Sequence, residues 1–245
     1  MRGVFVTGTD TGVGKSIVAA AICAALAARG ERVAAFKPAL SGLDEQPGEW
    51  PPDHKLLASA ASAGQTAEEI APHRFGPSVS PHLAAELAGV RIEPTSLASA
   101  AADAASAADA LVVEGVGGLM VPLAGGYLVR DLAVDLGLPV VVVARPGLGT
   151  INHTLLTVEA VRAAGLVPAG VVLTPWPSRP SELEASNRET IERLGGVAVS
   201  GLAPTRPESL AVSGSSLPLD DWLAAKPAGS SRRTLEGLAA TALAD

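Results

Sequence analysis

Gly8-Thr9-Asp10-Thr11-Gly12-Val13-Gly14-Lys15-Ser16 decides how this chain is read. Before it stands an apolar run, Gly3-Val4-Phe5-Val6-Thr7, which reads as a buried strand. After it, residues 17–28 are rich in alanine and read as a helix. A glycine-rich turn between a strand and a helix gathers backbone N–H groups in one concavity. The helix N-terminus adds partial positive charge, so the segment suits a polyphosphate. At this spacing Lys15 reaches the terminal phosphates, and the Ser16 hydroxyl takes a Mg²⁺ coordination position. The common spacing puts a glycine six residues before the lysine; here Thr9 stands there and Gly8 one step earlier. The alternative is an ordinary glycine turn entering a helix, and Gly-Lys-Ser between strand and helix argues against it. The expectation is an α/β fold of the P-loop NTPase type that binds a nucleoside triphosphate.

Composition bounds the rest. The chain has 245 residues, enough for one α/β domain with a sizeable core. Hydrophobic residues make up 48% but aromatics only 3%, so the apolar content is the Ala, Val and Leu of a parallel sheet covered by helices. A net charge of −7 argues against a nucleic-acid partner, which needs a basic surface. No membrane partner is expected, because the longest strand-type apolar run, residues 138–144, is far too short to span a bilayer. Gly8-Thr9-Asp10-Thr11 also interrupts any signal-peptide core, and a cytoplasmic location is expected. The single cysteine, Cys23, lies on the apolar helix, excludes an intramolecular disulfide, and reads as packing.

Further apolar runs at residues 33–36, 110–113, 139–144 and 169–173 read as strands. Helices are expected over 53–63, 81–87, 95–108, 150–164 and 181–194. Such alternation implies right-handed crossovers and a mainly parallel sheet with helices on both faces. Ligands then bind beyond the carboxyl ends of the strands. Residues 1–224 read as a single catalytic domain. Residues 225–245 differ in kind: Lys226-Pro227-Ala228-Gly229-Ser230-Ser231-Arg232-Arg233 is linker-like, disorder is expected there, and 235–243 has the pattern of a short helix.

Strand ends carry the polar residues. Lys37-Pro38 and Ser41-Gly42 follow the second strand. A lysine ending a buried strand either snorkels to the surface or stabilises charge on a neighbouring phosphate. Glu114, beside Gly115, Val116, Gly117 and Gly118, ends the next core strand, where a carboxylate suits nucleotide-bound Mg²⁺. Asp53 opens a helix and is read equally as an N-cap. Gly149-Thr150-Ile151-Asn152-His153 opens another helix, either as a second anion site or with Thr150 or Asn152 as a plain cap. Of four histidines, His54, His73 and His82 read as loop or helix-end residues, and none has metal-ligand spacing.

Taken in order, these segments resemble the dethiobiotin synthetases, over residues 1–224. The resemblance rests on the loop from Gly8 to Ser16, on Phe36-Lys37-Pro38 with Ser41-Gly42, and on Ser80-Pro81-His82. It continues through Val113-Glu114-Gly115 with Gly117-Gly118, and Leu148-Gly149 with Ile151-Asn152-His153. It implies carboxylation and ring closure of 7,8-diaminononanoate with CO₂ and ATP, CTP or another nucleoside triphosphate, through a carbamate and a carbamic–phosphoric anhydride. Lys15 and Lys37 would be catalytic. Gly12, Val13, Gly14, Lys15, Ser16 and Ile17 would hold the nucleotide, with Asp53, Glu114, Gly115, Val116 and Gly117 around it. Ser16, Asp53 and Glu114 would ligate Mg²⁺. Thr174 and Pro175, with Ala203, Pro204 and Thr205, would lie at the base. Thr11 and Ser41 would contact the diamine, and Gly149, Thr150, Ile151 and Asn152 would bind its carboxylate from the neighbouring subunit of a homodimer.

The chain departs from the family pattern at three places. Ser16 replaces the commoner Thr, and Val116 the commoner Ala beside the phosphates. Thr174-Pro175 replaces the Asn-Asp whose amide reads the base, so relaxed base selectivity is expected. A nucleotide switch of the partitioning or electron-transfer class is the alternative function. That class carries a signature lysine five residues before the P-loop lysine, where this chain has Asp10. An amide-forming synthetase of cobyric acid type needs a nucleophilic cysteine in an added glutaminase domain, and Cys23 on the first helix cannot serve.

Overall fold

The computed structural model of the protein describes residues 1–46 and 48–226. Six parallel strands form the central sheet: β1 (Gly3–Gly8), β2 (Val33–Phe36), β3 (Ala110–Gly118), β4 (Val140–Ala144), β5 (Pro168–Leu173) and β6 (Val199–Gly201). Their order across the sheet is β6-β5-β4-β1-β3-β2, so the chain changes direction of growth around β1. In register, Val6 lies beside Glu114, and Phe36 beside Val113. This brings the ends of β1, β2 and β3 together at one crevice, the position where open α/β sheets take ligands.

Alternation along each strand divides the core into two layers. Phe5, Ala34, Phe36, Leu111, Val113, Val140 and Val142 face one side. Val4, Val6, Val33, Ala35, Val112, Val141 and Val143 face the other. Helices α1 (Lys15–Ala27), α2 (Asp53–Ala60), α8 (Leu210–Gly214) and α9 (Leu219–Ala224) cover the second layer. Helices α3 (Pro81–Leu87), α4 (Pro94–Ser106), α5 (Val129–Leu136), α6 (Thr150–Ala163) and α7 (Glu182–Gly195) cover the first. Helices on both faces and an all-parallel main sheet match the expectation. α1 is apolar nearly all round because α2 and α8 pack along it, and Cys23 is fully buried there.

Several boundaries differ from the sequence reading. The strand expected to stop at Val113 continues to Gly118, because pairing with β1 carries the glycines onward as far as Gly8 and Gly118. Glu114 is therefore inside a strand rather than at its end. The helix expected over 53–63 stops at Ala60, since the Ser62 and Ala63 N–H groups donate to the Val33 carbonyl on the sheet edge. Pro52 is the N-cap of α2, and Asp53 its first residue, so Asp53 is not the cap. His73 sits in a two-residue strand paired with Ala39. β6, α5, α8 and α9 had no counterpart in the expectation. The helix expected at 235–243, and the disorder expected for the tail beyond Lys226, lie outside the described residues.

Candidate active site

A cleft of about 530 Å³ opens at the ends of β1, β2 and β3. Thr11, Gly12, Gly14, Lys15, Ser16, Ile17, Lys37, Ser41, Asp53, Glu114, Val116 and Gly117 line it, all of them residues singled out from sequence. Leu40, Trp50, Leu56, Ser78, Val79 and Val121, none of them singled out, complete the wall with Ser80 and Pro81. Val13 and Gly115 are buried behind it. Gly14, the N-cap of α1, has φ +97°, and a side chain there would stand 2.8 Å from Thr174 Cγ2. Glycine is required there on both counts.

Lys37 is the centre of the site. Its side chain is only 3% exposed, and Nζ lies 2.6 Å from Glu114 Oε1 and 2.8 Å from Asp53 Oδ2. Snorkelling is excluded, and so is a free ammonium. Lys37 is clamped between two carboxylates, one from β3 and one from α2. Burial alone would lower the Lys37 pKa, but the charges of Glu114 and Asp53 outweigh it and hold the ammonium above its ordinary range. Burial works against the Asp53 carboxylate too, yet the Lys37 charge and hydrogen bond take it below the usual range. Full burial pushes the Glu114 carboxyl upward, and Lys37 offsets only part of that.

Ser16 Oγ donates to Glu114 Oε1 at 2.8 Å, and Glu114 Oε2 is buried with no hydrogen-bond partner. Hard oxygen donors from Ser16, Asp53 and Glu114 thus lie close together beside Lys37, and Glu114 keeps one oxygen without a partner. That donor set fits Mg²⁺, which binds through one or two carboxylates and completes its shell with water and phosphate. Among the described residues no group of three or more His, Cys, Asp or Glu side chains could hold a metal by itself. Lys15 Nζ donates to the Asp10 carbonyl at 2.9 Å, and burial lowers its pKa to about 8.

The remaining residues singled out lie elsewhere. Thr174 is buried against Gly14, Pro175 is exposed, and Trp176 lies against Gly201 with the Arg188 guanidinium 5.7 Å over its ring. Ala203 and Pro204 are exposed, and Thr205 Oγ1 pairs with Ser213 Oγ at 2.7 Å. Leu148, Gly149, Ile151 and Asn152 line a separate surface pocket, with Leu155, Leu156, Glu159 and Asn187. Gly149, with φ +90°, is the N-cap of α6, and no side chain caps it, so neither Thr150 nor Asn152 serves as the cap. Thr150 turns inward, its hydroxyl 3.3 Å from that of Thr154. Sequence reasoning also passed over Arg145, one residue beyond the strongest strand, whose Nη2 donates to the Gly12 carbonyl at 3.1 Å. The signal was there: a charged residue at the end of a buried strand.

The chain matches the family model described as AAA domain over residues 2–212. It is 45% identical to the ATP-dependent dethiobiotin synthetase BioD of Anaeromyxobacter dehalogenans over 208 residues, 85% of this chain and 92% of that protein. It is 38% identical to the ATP-dependent dethiobiotin synthetase BioD of Bacillus subtilis over 204 residues, 83% of this chain and 87% of that protein. Among solved structures, a Cyanothece McdA–ATP complex superposes with a TM-score of 0.51 at 12% identity, covering 91% of this chain and 92% of that one. At that identity the likeness concerns the fold alone.

Proposed function

The chain belongs to the ATP-dependent dethiobiotin synthetase family, and we propose that its cleft around Lys37, Asp53 and Glu114 performs that synthesis from 7,8-diaminononanoate, CO₂ and a nucleoside triphosphate. It is a nucleotide-dependent ligase of biotin synthesis. The observation that carries the assignment to this cleft is the buried Lys37, bonded to both carboxylates beside the Gly14-Lys15-Ser16 loop. The switch alternative has the fold in common but lacks support from the sequence relatives.

CO₂ adds to one amine of the diamine and gives a carbamate. A carbamate oxygen attacks the γ-phosphorus, the bond to the nucleoside diphosphate breaks, and a carbamic–phosphoric anhydride forms. The second amine then attacks the carbamoyl carbon, phosphate leaves, and the ureido ring closes. Each step moves negative oxygen charge, so preorganised cations serve and no covalent enzyme intermediate is needed. Lys15 holds the terminal phosphates. Lys37, pinned by its two acids, presents a fixed positive charge to the migrating phosphoryl oxygens. Thr11 and Ser41 flank the diamine. Ser16, Asp53 and Glu114 would hold Mg²⁺, which would supply charge neutralisation of the polyphosphate.

A homodimer is part of this reading. Gly149 to Asn152 does not line the cleft of its own chain, which accords with service to a second copy. Leu148 is 91% and Leu156 58% exposed around that segment, apolar surface that a partner subunit would cover. We assign the protein to the cytoplasm, where its nucleotide co-substrate is supplied. Base selectivity is relaxed in this reading, because no side-chain amide stands at Thr174 or Pro175.

The test is incubation with diaminononanoate, bicarbonate, Mg²⁺ and each nucleotide, with dethiobiotin read by mass. Product and phosphate should appear in equal amounts and depend on Mg²⁺. Phosphate release indifferent to the diamine would move the switch reading ahead.

A further inference from the structure

We propose that Arg145 is a positioning residue of the phosphate loop: its guanidinium holds the Gly12 carbonyl outward and thereby turns the Val13 N–H toward the nucleotide. The inference rests on nucleotide binding by the Gly8–Ser16 loop and not on the synthetase chemistry. β4 runs beside β1, with Val143 opposite Gly8 and the Thr9 N–H donating to the Val143 carbonyl at 3.0 Å. Arg145, two residues on, therefore arrives alongside the loop as it leaves β1. Its Nη2 reaches the Gly12 carbonyl at 3.1 Å, and among the described residues it has no carboxylate partner. A cation on a neutral carbonyl, with no acid beside it, is not there to form a salt bridge.

Peptide planarity gives that bond its consequence. The Gly12 carbonyl and the Val13 N–H are opposite ends of one trans peptide, so fixing one direction fixes the other. Gly12 has φ +71°, and glycine moves between backbone regions with little penalty, so this peptide needs an outside restraint. The Val13 N–H has no acceptor among the described residues, while the Val13 side chain is buried and anchors the residue from behind. A charge-assisted bond to the carbonyl also polarises the amide and strengthens its N–H as a donor. Arg145 thus acts through the backbone, at a peptide of the loop that glycine leaves free to turn.

The experiment measures the Kd of a fluorescent ATP analogue and the KM values for ATP and the diamine, in the wild-type protein and in Arg145→Ala, Arg145→Gln and Arg145→Lys. Arg145→Ala is expected to weaken nucleotide binding about tenfold, with Tm and the KM for the diamine unchanged. Arg145→Gln, an uncharged donor, should restore most of the loss. Unchanged nucleotide Kd in Arg145→Ala would overturn the proposal. So would a fall in Tm with both KM values raised, which marks a structural role, or rescue by Lys but not by Gln, which marks charge alone. Because Kd is read without the diamine, absence of dethiobiotin formation would count against the synthetase reading and leave this test intact.

Discussion

Around the ends of β1 and β2 and within β3, Lys15, Ser16, Lys37, Asp53 and Glu114 are buried or half-buried; short polar bonds join Glu114 to Ser16 and Lys37, and Lys37 to Asp53, while Lys15 bonds to the Asp10 carbonyl. At the ends of β5 and β6 the polar groups are otherwise engaged. Thr174 packs its methyl on Gly14, Trp176 lies between Gly201 and Arg188, and Thr205 bonds to Ser213. The first region buries the charges of Lys37 and Glu114, and a buried charge is stable only when it is paired, as these two are with each other. The second offers backbone and apolar surface. Under the proposed function, side chains fix the phosphoryl chemistry whereas the base meets whatever the loops leave, and substitutions in the two regions should differ in effect by orders of magnitude.

The largest effect belongs to Lys37. Lys37→Ala leaves the Asp53 and Glu114 carboxylates facing each other without their shared cation. Turnover should fall by a factor on the order of 10² or more, while nucleotide binding stays measurable through the loop and Lys15. Near-normal kcat would remove the catalytic assignment. The same variant tests the shared site: mixing inactive Lys37→Ala and Asn152→Ala chains should restore part of the activity. In the mixed dimer one site carries both defects and the other is intact. No recovery after verified subunit exchange would count against the Gly149–Asn152 assignment.

Lys15 gives a pH-dependent effect of intermediate size. Burial lowers its pKa from 10.5 to about 8, so in the free protein the ammonium is lost as pH rises through that value. Polyphosphate favours the charged form. Affinity is thus fully present below about pH 8 and should weaken about tenfold per pH unit above it, until the ordinary lysine range is reached. Titration of nucleotide Kd between pH 7 and 10 checks this. Lys15→Arg, charged throughout, should flatten the profile, and a flat profile in the unaltered protein would contradict the lowered pKa.

How far the sequence carried the reading follows the same division. The phosphate region was legible because its parts are local or follow strongly apolar runs: Gly14-Lys15-Ser16, Lys37 and Glu114 all announce themselves. That Lys37 would bond to both Glu114 and Asp53 was not legible, since it depends on α2 folding back over β2 across many residues. Arg145 was masked because its bond to the Gly12 carbonyl joins residues far apart in the chain, while Gly147 and Gly149 after it read as a helix entry. β6 escaped because Val199-Ser200-Gly201 is too short for a period, and it exists as a strand by pairing with β5. Trp50 and Val121 line the cleft through tertiary packing that no spacing reveals.

The smallest effect is expected at the base. With Thr174 turned onto the loop and no side-chain amide beside it, kcat/KM for CTP and GTP should be comparable to that for ATP. Measured side by side, a preference for ATP above roughly 10³-fold, about 4 kcal/mol, would show that the backbone of residues 201–205 reads the base after all.

The most direct test of the central claim follows an oxygen atom. If the carbamate attacks the γ-phosphorus within the Lys37 cleft, a bridging oxygen from CO₂ leaves with the phosphate when the ring closes. With ¹⁸O-labelled bicarbonate, assayed before exchange with water, released phosphate should carry one labelled oxygen and dethiobiotin another. Unlabelled phosphate, its new oxygen taken from solvent water, would mean that the nucleotide is hydrolysed rather than coupled, and would contradict the account.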